Sequence, residues 1–215
     1  MSLDKKAKVL TQATITIILL MSFITYVNNA DAATMRISDK GTTLYYDGAV
    51  QWGDYHRLKD LINKNPKLLY ISLNSRGGSA QEGRNIGILL RKSLLTTVVQ
   101  ENAICASACT SMFLGGVVRI VESSARMMYH PPYMEEYPQG WTMEHIALSA
   151  QNQTAIEIAH SVALVELNKE FQVVKFLLHN VYNLKTNSGI LYTASPQELL
   201  DSGIATRVYT KTKGE

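Results

Sequence analysis

The chain is poor in the residues that build metal and redox centres. Its 215 residues include two cysteines, Cys105 and Cys109, and five histidines. There is no HExxH motif and no Cys/His cluster at ligand spacing, so no metal is expected. His56, His145, His160 and His179 lie on helical patterns without ligand spacing and read as surface or packing residues. The C-x-x-x-C spacing is not the C-x-x-C of thiol redox catalysts. No basic stripe exists: 21 Lys and Arg interleave with 18 Asp and Glu for a net charge of +3, which argues against a nucleic-acid partner. No internal repeat or low-complexity tract occurs. Proline and glycine are missing from residues 142–180, leaving room for one long helix or two. Asp and Glu are missing from residues 180–194.

What is present suits one globular domain: 46% hydrophobic and 18% charged residues in a chain of ordinary domain length. The first 32 residues have the layout of a secretory signal. Lys5, Lys6 and Lys8 precede an uncharged, mostly apolar run at 14–27, and Ala30-Asp31-Ala32 forms an A-x-A cleavage pattern. The alternative is an uncleaved anchor in which residues 10–27 span the inner membrane. Either way, residues 33–215 form the working domain on the exported side, periplasmic or secreted. The membrane is then touched only through the N-terminal segment.

Within that domain, residues 34–50 carry strand-like alternation and residues 51–63 helical spacing that stops before Pro66. A continuous apolar run at 68–73 suits a buried parallel strand. Residues 79–92 read as a helix capped by Ser79, and residues 96–100 as the next strand. Residues 107–114 read as a short buried helix, and 117–121 and 127–129 as two further strands. Pro131, Pro132, Pro138 and Gly140 punctuate a loop in which Tyr133, Glu135, Glu136 and Tyr137 lie close to the candidate base or on an ordinary solvated surface. Ser195-Pro196-Gln197-Glu198 is a helix start, and residues 204–209 read as a last strand. Strands alternating with helices at this spacing argue for an α/β fold with parallel strands.

Three stretches carry chemistry. Gly77 and Gly78 sit between a strand and a helix start, where the backbone can turn and present N–H groups to an anion. Ser107 lies in a run of small residues at the start of a helix. His130 ends a short apolar run, where a strand would deliver it to a rim. A serine becomes a nucleophile beside a base such as histidine, and paired backbone donors can hold the oxyanion that forms.

The sequences Asn74-Ser75-Arg76-Gly77-Gly78, Ala106-Ser107-Ala108 and Ser124-Ala125-Arg126-Met127-Met128-Tyr129-His130 resemble, in order and approximate spacing, the proteolytic subunit of the Clp protease and the wider Clp/crotonase superfamily. The resemblance is strong over residues 68–131 and loose elsewhere. It implies a superhelix of ββα units with a long helix near residues 142–180. By this resemblance Ser107 is the nucleophile, His130 the general base, and the N–H groups of Gly78 and Ala108 the oxyanion hole. It further implies a homo-oligomer and peptide or unfolded-protein substrates, with no cofactor. Two features depart from it. Arg76 stands where the family has proline. The region that should supply the third triad residue holds only Asn180, Asn183 and Asn187 as carboxamides, Asn187 being the candidate that would orient His130. A Ser-His dyad, a Ser-His-Asn triad and a relic site all remain open.

In an exported protein Cys105 and Cys109 read as a disulfide that would brace Ser107; the alternative is two buried thiols. The leading functional expectation is an exported Clp-like serine peptidase. The alternatives are an inactive binding or oligomerisation module and, less in keeping with export, acyl-CoA chemistry of the crotonase kind.

Overall fold

Parallel strands need a crossover between them, and three successive segments supply it. In the computed structural model, which describes residues 32–131, 138–166, 168–182 and 191–209, β2 (Thr43–Asp47) leads through α1 (Asp54–Lys64) to β3 (Tyr70–Asn74). From there α2 (Ala80–Lys92) leads to β4 (Thr96–Val99). Next come β5 (Ile104–Ala106), α3 (Ala108–Leu114), β6 (Arg119–Glu122) and β7 (Arg126–Tyr129). The main sheet has six strands in the order β1-β2-β3-β4-β6-β9, with β1 (Thr34–Ile37) antiparallel to β2 and the remaining neighbours parallel. Its far edge, β9, is Arg207–Tyr209. A smaller sheet has the order β5-β7-β8, in which β8 (Tyr192–Ala194) runs antiparallel to β7. Residues 33–215 cluster as one unit.

The core explains the order. Ile71, Ser72 and Leu73 are all buried in β3, as a strand covered on both faces requires. Leu44, Leu58, Ile71, Leu73, Ile86, Leu90, Met112, Phe113 and Leu199 are fully buried, each contributing on the order of 1.5–3 kcal/mol. All seven residues of α3 are buried. It lies directly on α2 because Gly83 and Gly87 leave room: a Cβ at either would collide with the carbonyl oxygen of Ala108 or Ser111. Caps set the helix starts. Ser79 Oγ accepts the Glu82 N–H, and Ser195 with Glu198 forms a capping box at α6 (Pro196–Asp201).

The glycine-free, proline-free region 142–180 divides in two: α4 (Met143–Leu164) and α5 (Glu170–Phe176), the latter running on into a π-helical turn, Leu177–Val181. The break comes from tertiary structure. The buried Arg119 donates to the carbonyls of Gly116, Gly203 and Ile204 and to Glu166 Oε1 at 2.7 Å. That draws the segment after Leu164 onto β6, where Val165 is extended and Asn168 has φ 86°. The strands β5 and β8, three residues each, are too short for a periodic signal in the sequence. Among the described residues, no helix is long and apolar enough to cross a membrane.

Candidate active site

The glycine turn is held from three sides. Asn74 spans two strands, donating to Asp47 Oδ1 and accepting the Ile104 N–H. Ser75 exchanges backbone hydrogen bonds with β5, and its Oγ accepts the Gly77 N–H at 3.1 Å. The loop before α1 closes the third side: Val50 N–H donates to Gly77 O, and Ser79 N–H donates to Val50 O, both at 2.8 Å. These two bonds flank Gly78, so its own N–H points away from Val50 and makes no hydrogen bond among the described residues. Gly77 and Gly78 have φ 99° and 143°, a region closed to most side chains. A Cβ on Gly78 would strike Val50 O. The Val50 loop is itself fixed by two buried carboxylates. Asp54 accepts from Tyr46 and the Gln51 N–H, and Glu82 accepts from the Gly53 and Tyr55 N–H groups.

Ser107 follows β5 and opens α3. The strand at 96–99 does not deliver it; β5, at 104–106, does. Its backbone has φ 53° and ψ −125°, strained for a residue with a Cβ, and its N–H donates to Met128 O at 3.0 Å. The side chain makes no capping hydrogen bond. Ala108, the first helical residue, has an N–H without a partner among the described residues, as helix starts do. A disulfide joins Cys105 to Cys109 with the Cα atoms 5.2 Å apart, so it closes a loop around Ser107. By loop-closure entropy such a short loop contributes about 2 kcal/mol. Cys105→Ser/Cys109→Ser is therefore expected to lose unfolding free energy of about that amount and to unfold at lower urea. Probe reactivity at Ser107 should fall further than the unfolded fraction explains. Urea titration and labelling rates below the unfolding transition, with and without reductant, test both expectations.

His130 arrives from the neighbouring strand. Ala106 pairs with Met128 in the parallel register of β5 and β7, so Ser107 and His130 emerge at the same end of the small sheet. The Nδ1 of His130 lies 2.7 Å from Pro131 O. A carbonyl can only accept, so this bond requires the proton on Nδ1 and leaves Nε2 as the basic nitrogen. One partner of Nδ1 is thus a neutral main-chain carbonyl. Asn180 turns toward Glu198 at 3.4 Å. Asn183, Asn187 and the residues Tyr133, Glu135, Glu136 and Tyr137 lie outside the described residues, as do residues 1–31.

Ser107, His130, Gly78 and Ala108 all line one cavity of about 740 Å³, together with Arg76. The opposite wall is a face of α4, where Ser149, Gln153, Glu157 and Ser161 recur every four residues. Glu157 fastens that wall: it is ion-paired with Arg84 and accepts from Ser111 Oγ at 3.0 Å. Tyr129 also lines the cavity; its Oη is buried without a partner among the described residues, and burial pushes its pKa far up. Among the described residues, no three His, Cys, Asp or Glu side chains gather as a metal ion would need.

Beneath this wall His160 packs against α3, its Nε2 3.3 Å from Ser111 O, with Glu157 and Arg84 nearby. Burial lowers its pKa against the opposing effect of the Ser111 carbonyl. The unfolded chain therefore binds the proton more readily, and stability rises with pH through the window below about 6.5. Unfolding midpoints are expected to fall as pH drops below that value. His160→Gln should flatten the slope between pH 7.5 and 5.5 in a urea titration series; an unchanged slope would assign it to another group.

The sequence matches no protein-family model and no curated protein. The fold is a mixed α/β fold of the ClpP kind. Among solved structures, the chain is similar to an Asn-to-Asp mutant of ClpP1 from Listeria monocytogenes, with a TM-score of 0.58 and 17% identity over 81% of this chain and 95% of that one. Sequence reasoning had quoted Asn74 and Ser75 in the glycine motif without giving either a role, and had not singled out Val50, Glu82 or Glu157. Only the Gly83-x-x-x-Gly87 spacing, a small-residue stripe on α2, was readable as a close helix contact.

Proposed function

We propose that the chain is an exported serine hydrolase, a Clp-like peptidase in which Ser107 attacks a carbonyl carbon. His130 Nε2 takes the hydroxyl proton and returns it to the leaving group, and the Gly78 and Ala108 N–H groups hold the oxyanion. The observation that carries this reading is that these four residues, from three separate stretches, line one cavity. Peptides are the favoured substrates because an extended chain can pair with a strand beside the cleft. The reading includes a superhelical winding of ββα units, a homo-oligomeric assembly, a signal segment over residues 1–32 (or an anchor over 10–27) and a working domain over 33–215. Export would keep this protein from any cytosolic unfoldase, so short or unfolded chains are the expected substrates.

The test is labelling of the full-length protein with a fluorophosphonate probe and mapping of the adduct by peptide mass. An adduct on Ser107 supports the reading, whereas a folded protein that takes up no probe removes it. A second reading, an inactive binding module, draws on the neutral carbonyl at His130 Nδ1. An unlabelled protein that still binds extended peptides would favour that one.

A further inference from the structure

Arg76 is a charged side chain that neither the fold nor the proposed chemistry uses. It is exposed, it lines the cavity beside Gly77 and Gly78, and it has no ion pair, hydrogen bond or ring contact among the described residues. Glu157, the acidic group in the same lining, is already neutralised by Arg84. The charge left over among the described lining residues is therefore the Arg76 guanidinium. Its reach is set by the chain: Arg76 lies two residues from the Gly78 N–H, so the Cα atoms of the two are separated by at most about 7 Å. A guanidinium on a flexible stem at that distance can meet the groups flanking a carbonyl seated at Gly78. Its fork of N–H donors suits a carboxylate.

We propose that Arg76 is a specificity-determining residue and that the site prefers substrates carrying a carboxylate next to the reacting carbonyl. This deepens the hydrolase reading and rests on it. The carboxylate has two sources, an acidic side chain or the free C-terminus of a peptide. Because Arg76 is exposed, the preference is modest and sensitive to salt.

The experiment measures fluorescence anisotropy of labelled peptides on full-length Ser107→Ala protein, so that turnover does not interfere. Four peptides of one length are compared: Glu or Gln at the central position, each as C-terminal acid or amide. One of the acid-bearing pairs is expected to bind about fivefold tighter than its neutral counterpart at low salt, the preference shrinking as salt rises. The Glu/Gln arm reports a side-chain carboxylate, and the acid/amide arm a chain terminus. Adding Arg76→Gln should erase the preference, and Arg76→Lys should keep part of it. Equal binding of all four peptides, or a preference that survives Arg76→Gln, overturns the proposal. Fluorophosphonate labelling of the wild-type chain reports on the hydrolase reading separately, so failure of one is not mistaken for failure of the other.

Discussion

Ser107→Ala is expected to lose all fluorophosphonate labelling and, on any peptide the wild type cleaves, about 10⁶ of kcat. The size follows from what remains. Without a nucleophile the cavity still offers the Gly78 and Ala108 donors and the walls that position a carbonyl, which leaves a residual acceleration of about 10³–10⁴ over water. His130→Ala should cost a similar factor, because an alcohol without a base is a poor nucleophile at neutral pH. The double variant should be little worse than either single one, since the two act as a unit. Progress curves on a fluorogenic peptide, with each variant's folding checked by its urea midpoint, measure all three rates. Additive losses would mean that the two residues do not work together. The neutral carbonyl at Nδ1 also bears on the absolute rate. It fixes the tautomer as a carboxylate would but gives less stabilisation to the imidazolium that forms during proton transfer.

Gly77→Ala should combine loss of fold with loss of reactivity. A Cβ there would stand 2.6 Å from the Cβ of Ser107 and 2.7 Å from Ala106 O, at a backbone φ of 99°. The collision is with backbone and with the Cβ of Ser107, so no flexible side chain can yield. Destabilisation of roughly 3 kcal/mol or more is expected from the overlap and the conformational strain together. In the fraction that folds, the Gly78 N–H moves with its neighbour, and on the proposed hydrolase reading the displaced oxyanion donor is expected to reduce turnover by roughly 10²–10³. Ala80, outside the turn on α2, provides the control: Ala80→Gly carries neither the collision nor the displaced donor. Urea unfolding and labelling rates of the two variants decide the matter. A Gly77→Ala protein as stable and as reactive as wild type would show that the turn does not need this geometry.

Much of the candidate site could be picked out from the chain because its parts are local. A glycine pair after an apolar run, a serine among small residues and a histidine at the end of a short strand are each written within a few positions. The caps at Ser79 and Ser195 are equally local, and both start helices as read. Other parts were illegible for definite reasons. The three residues of β5 carry no period, although this strand rather than the one before it presents Ser107. The interruption after Leu164 has no proline or glycine to mark it; a buried arginine from β6 makes it. One group at His130 Nδ1 is a main-chain carbonyl, which no side-chain pattern can announce, and the asparagine candidate Asn187 lies outside the described residues.

By itself, then, the sequence determined the alternation of strands and helices, the glycine turn, and which serine and histidine to examine. Those follow from local conformational preference and from hydrophobic periodicity, both of which act over a few neighbouring residues. The tertiary structure decided what those residues face. It set Val50 against Gly78, closed α4 over the cavity through Glu157 and Arg84, drew Cys105 and Cys109 together around Ser107, and left Arg76 without a partner among the described residues. Such relations depend on close packing between segments distant in the chain, and packing is a property of the assembled fold rather than of any stretch within it.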